Sequence, residues 1–197
     1  TVESGYVLYV NGCKFISASV EHPKAVNGKY APGTYKIGRD IPKDEYIVKK
    51  ISGVYGGLGF KNSIDPYVQN VASDFEMFDT STYYVLSKDG YVEITGCEFY
   101  DADSCNMAPI GCDGTTPAMY KVGKDIKAGT YTITPDGSGK SYYSVSSSPK
   151  TVDLKPLKEV TNVEVSDGEY VYFFRAAMKY CENPNSGLDP DATLPQE

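Results

Sequence analysis

Tyr35-Lys36-Ile37-Gly38-Arg39-Asp40-Ile41 returns as Tyr120-Lys121-Val122-Gly123-Lys124-Asp125-Ile126, and since 120 − 35 and 125 − 40 both give 85, the two phrases are copies of one unit. Self-similarity at a fixed period marks a repeat architecture. The match runs on, with Ile41-Pro42-Lys43-Asp44-Glu45-Tyr46-Ile47-Val48 lying over Ile126-Lys127-Ala128-Gly129-Thr130-Tyr131-Thr132-Ile133. Period-2 patterning on either side predicts a strand through Tyr35 or Tyr120, a turn at the Asp-Ile step, and a second strand from Tyr46 or Tyr131. Asp44 and Gly129 share the slot expected at positive φ, which both residue types tolerate.

A second motif recurs downstream. Val85-Leu86-Ser87-Lys88-Asp89-Gly90-Tyr91-Val92-Glu93-Ile94 and Val163-Glu164-Val165-Ser166-Asp167-Gly168-Glu169-Tyr170-Val171 place Asp-Gly between β-rich runs. Such a pattern predicts a hairpin closing each unit. Val2-Glu3-Ser4-Gly5-Tyr6-Val7-Leu8-Tyr9-Val10 has the same shape, with Gly5 to Gly90 again 85 and Gly90 to Gly168 only 78. After it, Gly12-Cys13-Lys14-Phe15 matches Gly96-Cys97-Glu98-Phe99, and Arg175-Ala176-Ala177-Met178 takes that place in the last copy. The first unit is about seven residues longer in its middle, with 44 steps from Tyr46 to Gly90 against 37 from Tyr131 to Gly168. There, Asp65-Pro66 ahead of Val68, Val71, Ala72 and Phe75 predicts a short helix, with an N-cap, proline at the first helical position and apolar spacing of one face. Its counterpart, Ser148-Pro149 through Val152 and Leu157, is broken by Pro156.

The expected fold is therefore all-β: two tandem β-sandwich repeats of jelly-roll type with at most one or two short helices. The first unit is expected over 1–103, beginning with a closing hairpin over 1–20, the second over 104–182, and an extended or disordered tail over 183–197. A chain of 197 residues accommodates two such units. With 18 Tyr, 7 Phe and no Trp, much of its apolar surface is carried by rings with a hydroxyl tip, suited to half-buried sheet faces and wet rims.

A net charge of −7 argues against a phosphate-binding surface, since nucleic-acid affinity rests on clustered Lys and Arg, and no nucleic-acid partner is expected. The longest basic cluster is Lys49-Lys50, and no apolar run approaches a membrane span. Thr1-Val2-Glu3-Ser4 shows neither a charged nor an apolar leader region, so any signal peptide or lipid-anchoring cysteine is expected to have been removed from ahead of it. None of Cys13, Cys97, Cys105, Cys112 and Cys181 forms a Cys-x-x-Cys pair. Cys105 and Cys112 bracket a short loop that a disulfide would pin, whereas Cys13 and Cys97 either bond to each other or stay reduced as small buried hydrophobes.

Chemistry has few footholds. His22 is the single histidine, in a loop without triad partners, and no Gly-x-Ser-x-Gly elbow occurs. Among 26 acidic residues a glycosidase pair has room, but Asp40, Asp89, Asp125 and Asp167 fall in turns, where carboxylates accept backbone hydrogen bonds. Calcium is the one cofactor the composition would allow, at Asp101-Ala102-Asp103 or between Asn183 and Asp191, though neither run has EF-hand spacing, so no cofactor is expected. The glycines from Gly53 to Gly59 lack the lysine and helix of a phosphate loop and predict a bulge or hairpin tip. Tyr83-Tyr84 and Tyr142-Tyr143 are adjacent pairs, so one ring of each points inward and the other outward, either onto a ligand or over a neighbouring strand.

The phrase Tyr120 to Tyr131, with Val165-Ser166-Asp167-Gly168-Glu169-Tyr170, resembles a repeat of secreted and lipid-anchored surface proteins of Gram-positive bacteria, several from gut anaerobes. The first unit departs from it at Asp44-Glu45, where Gly-Thr or Gly-Glu is usual. The resemblance implies an extracellular or cell-surface address and β-rich modules, and it carries no catalytic residues to these positions. The expected role is a non-enzymatic surface module that binds or adheres to a glycan, a peptide or a surface protein, with Tyr83, Tyr84, Tyr142 and Tyr143 as candidate binding residues. The alternatives are a carbohydrate-active enzyme with a carboxylate pair between the units, which would gather acids in one cleft and break the repeat there, and a structural spacer.

Overall fold

A computed structural model describes residues 25–51, 56–63, 73–107 and 116–181. The first unit contributes β1 (Lys29–Tyr30), β2 (Gly33–Lys36), β3 (Glu45–Lys50), β4 (Gly57–Lys61), β5 (Ser73–Met77), β6 (Thr82–Val85), β7 (Tyr91–Thr95) and β8 (Cys97–Asp101). The second contributes β9 (Met119–Lys121), β10 (Gly129–Pro135), β11 (Tyr142–Ser146), β12 (Lys155–Pro156), β13 (Thr161–Val165), β14 (Tyr170–Phe174) and β15 (Ala176–Tyr180). They pair antiparallel in four sheets, ordered β1-β8-β3-β6, β2-β7-β4-β5, β13-β10-β15 and β12-β11-β14-β9. The fold is all-β and sandwich-like. Among the described residues the only helical turn is a 3-10 turn over Ala102–Ser104, and no helix is long and apolar enough to cross a membrane.

Alternation fills the cores. On β7, Val92 and Ile94 point inward while Tyr91, Glu93 and Thr95 do not, and on β14 Val171 and Phe173 are fully buried between Tyr170, Tyr172 and Phe174. The first core joins Tyr30, Tyr46, Val48 and Phe99 from one sheet to Leu58, Phe60, Val92 and Ile94 from the other. The second gathers Tyr120, Tyr131, Ile133, Val171, Phe173 and Met178.

The repeat is topological as well as textual. The order β2-β7-β4-β5 recurs as β9-β14-β11-β12, and β8-β3-β6 recurs as β15-β10-β13. Gly57 at the start of β4 and Tyr142 at the start of β11 stand 85 apart (142 − 57), whereas Lys36↔Tyr91 and Lys121↔Tyr170 pair identically with Tyr91 and Tyr170 only 79 apart (170 − 91). The first unit is therefore six residues longer, and matching the Asp-Gly pairs is out by one. Gly90 is equivalent to Glu169, whose carbonyls accept from Ile37 N at 3.0 Å and Val122 N at 2.8 Å. The same offset sets Arg175 (φ 50°) in the place of Gly96 (φ 59°), each a one-residue corner where the chain leaves one sheet for the other.

Several expectations are corrected. The Asp-Gly turns close no hairpin: β6 pairs with β3 while β7 pairs with β2 and β4, so each turn carries the chain between facing sheets. What holds these turns is the repeated head motif. In each head the aspartate side chain accepts from the backbone N–H four residues earlier, Lys36 to Asp40 at 2.8 Å and Lys121 to Asp125 at 2.9 Å, and Ile37 or Val122 then docks the Asp-Gly turn. Asp44 has no positive φ, unlike Gly129, and its carboxylate accepts from Glu45 N instead. Phe75 lies on strand β5, paired across from Gly59, where a helix is expected; the rest of that segment lies outside the described residues. Ser148 to Leu157 forms turns and the short β12, since Pro156 denies a helix its N–H. The N-terminal copy over 1–20, His22 and the 183–197 tail also lie outside the described residues.

The one-residue offset is testable by two alanine substitutions. At Gly90 (φ 113°) a Cβ would stand 2.5 Å from the Lys61 carbonyl oxygen, while at Gly168 (φ 86°) it meets nothing within 4 Å. Gly168→Ala should cost about 1–2 kcal/mol for the left-handed backbone alone, and Gly90→Ala clearly more, as read by urea denaturation. Equal losses would contradict this placement.

Candidate functional site

Strand β3 is covered on both faces: Tyr46, Ile47 and Val48 are all fully buried, with Tyr46 and Val48 in the first core and Ile47 in the cluster of the second unit. Strand β9 is likewise covered on both faces at Met119 and Tyr120. The units are thus stacked, with the outer face of β3 and β6 against the outer face of β9 and β14. Ser81 and Ala118 form a parallel bridge, with Met119 N donating to Ser81 O at 2.9 Å, and this joins the two sheets edge to edge.

Two polar links close the seam. Tyr83 donates its hydroxyl to Asp125 at 2.6 Å, and the same carboxylate accepts from Lys121 N at 2.9 Å and Met107 N at 3.0 Å. Lys124 donates to the Ala102 carbonyl and lies over the Tyr83 ring. Glu45 accepts from the Tyr170 hydroxyl and from Lys121 Nζ at 2.9 Å, and the Tyr83 and Tyr170 rings meet edge-on at 5.4 Å. Burial, and then the Asp125 bond, push the Tyr83 hydroxyl well above the usual tyrosine range. For Lys121 burial opposes the charge, but its interactions with Tyr170 and Glu45 prevail and raise it to about 12.

Three clefts open along this seam, each lined from both units. The first, about 440 Å³, runs along β6 between Phe60, Phe78 and Tyr84 on one side and Val152, Leu154 and Tyr172 on the other, and Glu76, Lys88 and Lys150 line it too. Tyr84 stacks on Phe60 at 5.8 Å, meets Phe78 edge-on at 6.1 Å and donates to Glu76 at 3.1 Å. A second cleft, about 720 Å³, lies between Lys50 and Asp79 of the first unit and Phe174 and Arg175 of the second. The third, about 630 Å³, is acidic: Asp44, Glu45, Asp101 and Asp103 line it beside Tyr30 and Lys121. Burial, then the nearby Asp44 charge, hold the Asp101 carboxyl above its usual range.

The four candidate tyrosines separate. Tyr83 is 1% exposed and belongs to the seam, so it offers no ligand surface: its ring points away from the first core, as expected of one partner in an adjacent pair, but the second unit covers it. Tyr84 lines the aromatic cleft, Tyr142 is 37% exposed opposite Phe174 on the outer face, and Tyr143 packs partly into the second core. Sequence reasoning missed Phe78 and Tyr172 in the cleft, and the Glu45 and Asp125 links. The run Tyr170-Val171-Tyr172-Phe173-Phe174 held a signal, because strict alternation there leaves three rings on the outward face.

Cys97, Cys105 and Cys181 are free thiols. Cys97 is buried, where it packs as a small hydrophobe with its thiol pushed up by burial, while Cys13 and Cys112 lie outside the described residues. Among the described residues no three His, Cys, Asp or Glu side chains group so as to hold a metal ion. Comparisons with protein-family models, curated proteins and solved structures found no match.

Removing the Tyr83 hydroxyl leaves Asp125 its two backbone donors, whereas truncating Glu45 strands both Lys121 and Tyr170. Tyr83→Phe should therefore cost about 1 kcal/mol and Glu45→Ala about 2–3 kcal/mol, measured by urea denaturation. Unchanged midpoints would remove the seam as a stabilising element.

Asp101 carries the opposite sign. A carboxyl raised in the folded state contributes stability in full below its unfolded pKa and loses it as pH rises through the folded value. Asp101→Asn should accordingly raise the thermal midpoint at pH 7, with the gain vanishing near pH 3. A lowered midpoint at pH 7 would contradict it.

Proposed function

We propose that the chain is a non-enzymatic extracellular surface module that captures a glycan, a peptide or a segment of a surface protein in the aromatic cleft between its units. One observation carries this reading: a cleft of about 440 Å³ in which half-buried Phe78, Tyr84 and Tyr172 stand beside partly exposed Val152 and Leu154, with Glu76, Lys88 and Lys150 as the charged groups of its lining. Its volume lies within the range of small-ligand sites, and apolar walls with a few polar groups suit binding with orientation. Because the walls come from different units, capture depends on the stacking. The extracellular address rests on the resemblance of the repeat to secreted surface proteins.

The test is a glycan-array and cell-wall pulldown screen with the wild-type chain, Tyr172→Ala and Leu154→Asp. Leu154 is 50% exposed, so its substitution leaves the core untouched. Each variant should weaken capture about tenfold or more, equivalent to roughly 1.4 kcal/mol. Undiminished capture by both would overturn the reading.

A second reading is favoured by the acidic cleft. At the positions equivalent to Asp44, Glu45 and Asp101 the second unit has Gly129, Thr130 and Tyr180, so the acids gather where the repeat breaks. A carbohydrate-active enzyme would use Asp101, held toward its neutral form, as the acid and Asp44 or Asp103 as the second carboxyl group, since Glu45 is already held by Lys121 and Tyr170. Hydrolysis of chromogenic glycosides, abolished in Asp101→Asn, would establish it over the first.

A further inference from the structure

Strand β5 is the edge of its sheet. The bond from Phe78 N to Gly56 O at 3.2 Å fixes the phase of the β4–β5 ladder. Alternation then turns the backbone groups of Asp74 and Glu76 toward β4 and those of Phe75 and Met77 away from the sheet. Among the described residues no strand takes up that outer edge. Phe75 is 59% and Met77 68% exposed, so both side chains are open beside it. The Phe75 ring is seated over β4, where a Cβ on Gly57 would come within 2.6 Å of it. Exposed apolar edges are the sites at which sheets accept another strand.

The repeat supplies an internal contrast. The equivalent edge of the second unit is β12, only two residues long and containing Pro156, which blunts it. The open edge also lies within the stretch where the first unit is longer.

We infer that β5 is a docking edge for an extended segment of another protein in which apolar residues alternate with lysine or arginine. The apolar side chains would lie beside Phe75 and Met77. The basic ones would fall on the face of Asp74 and Glu76, where cross-strand pairing favours opposite charge. Asp74 is held only by an exposed ion pair with Lys88 at 3.1 Å, and Glu76 opens into the aromatic cleft, so a basic side chain there meets the Phe78 and Tyr84 rings. Lys88 already shows this contact, its ammonium 5.4 Å from the Phe60 centroid. A second copy of this chain does not fit. In every antiparallel register that pairs three or more residues of β5 with their apolar side chains on one face, Asp74 or Glu76 stands opposite Asp74 or Glu76. Strand pairing itself is independent of the cleft, but the choice of a basic partner rests on the cleft reading.

The experiment uses two labelled, terminally blocked heptapeptides, one alternating valine with lysine and the other valine with glutamate, read by fluorescence anisotropy against the full chain. Met77→Pro removes an outward N–H without touching the β4 ladder, and Met77→Lys is a second edge block that any fold survives more easily. The lysine peptide should bind the wild type at least tenfold more tightly than the glutamate peptide does, and at least tenfold more tightly than it binds either variant. Equal binding of the two peptides, or undiminished binding to both variants, overturns the inference, as does a dimer in sedimentation that Met77→Lys dissolves. If Leu154→Asp abolishes capture in the screen while both Met77 variants retain it, the edge inference fails and the cleft reading stands. If only the Met77 variants lose binding, the cleft reading fails and strand addition stands.

Discussion

Asp125 holds the molecule together at the point where its two halves meet. Its carboxylate accepts from Lys121 N, which closes the head loop of the second unit, from Met107 N in the connection between units, and from the Tyr83 hydroxyl of the first unit. A carboxylate has acceptor capacity for three such bonds. In the first unit the equivalent Asp40 likewise takes the Lys36 N–H and is buried beside Arg39. The same sequence element thus closes a turn in both copies, and in the second it also anchors the first unit. Each cleft described is lined from both units, so the surfaces that could bind something exist because the units are stacked.

What the sequence disclosed follows from how local each interaction is. The head motif closes within five residues through one side chain and one glycine at positive φ, so its two copies could be recognised as a turn without knowing what lies beyond them. The Asp-Gly turns are equally local, but their destination is not. Whether β7 pairs with β6 or crosses to the facing sheet depends on β2 and β4, which are distant in sequence. The one-residue misalignment of Gly90 with Gly168 has the same origin, since the glycines mark flexible points of two different turns rather than equivalent rungs of a ladder.

The site was legible in part for a related reason. Alternation assigns one face of a strand to the core and the other to water, and β3 and β9 break that rule because a second unit covers the outward face. Tyr83-Tyr84 reads from sequence as a pair with one ring facing outward, onto a ligand or over a neighbouring strand, and the outward Tyr83 turns out to lie under the second unit. Tyr84, beside it, faces the flank of its own sandwich and is half exposed where β5 and β6 are, among the described residues, the edges of their two sheets. No pattern along the chain reports that two consecutive strands end as edges of different sheets and border one opening.

Divergence between the copies separates structure from use more sharply than composition does. Positions at which both units agree, Asp40 with Asp125 and Gly38 with Gly123, have bonds or backbone angles that account for them entirely. Positions at which they differ without loss to the fold are of another kind. A two-residue edge with proline suffices in the second unit, so a five-residue edge bearing exposed Phe75 and Met77 is not demanded by the sandwich. Open apolar edges carry a standing risk of aggregation, which short edge strands, charges, proline or a covering loop ordinarily remove. The glycine floor beneath Phe75 holds that ring in place at the edge rather than withdrawing it, and the acids on the opposite face of β5 disfavour self-pairing while leaving a basic partner admissible. The edge is thereby closed to the copy of itself that it would meet most often, and open to a partner of opposite charge.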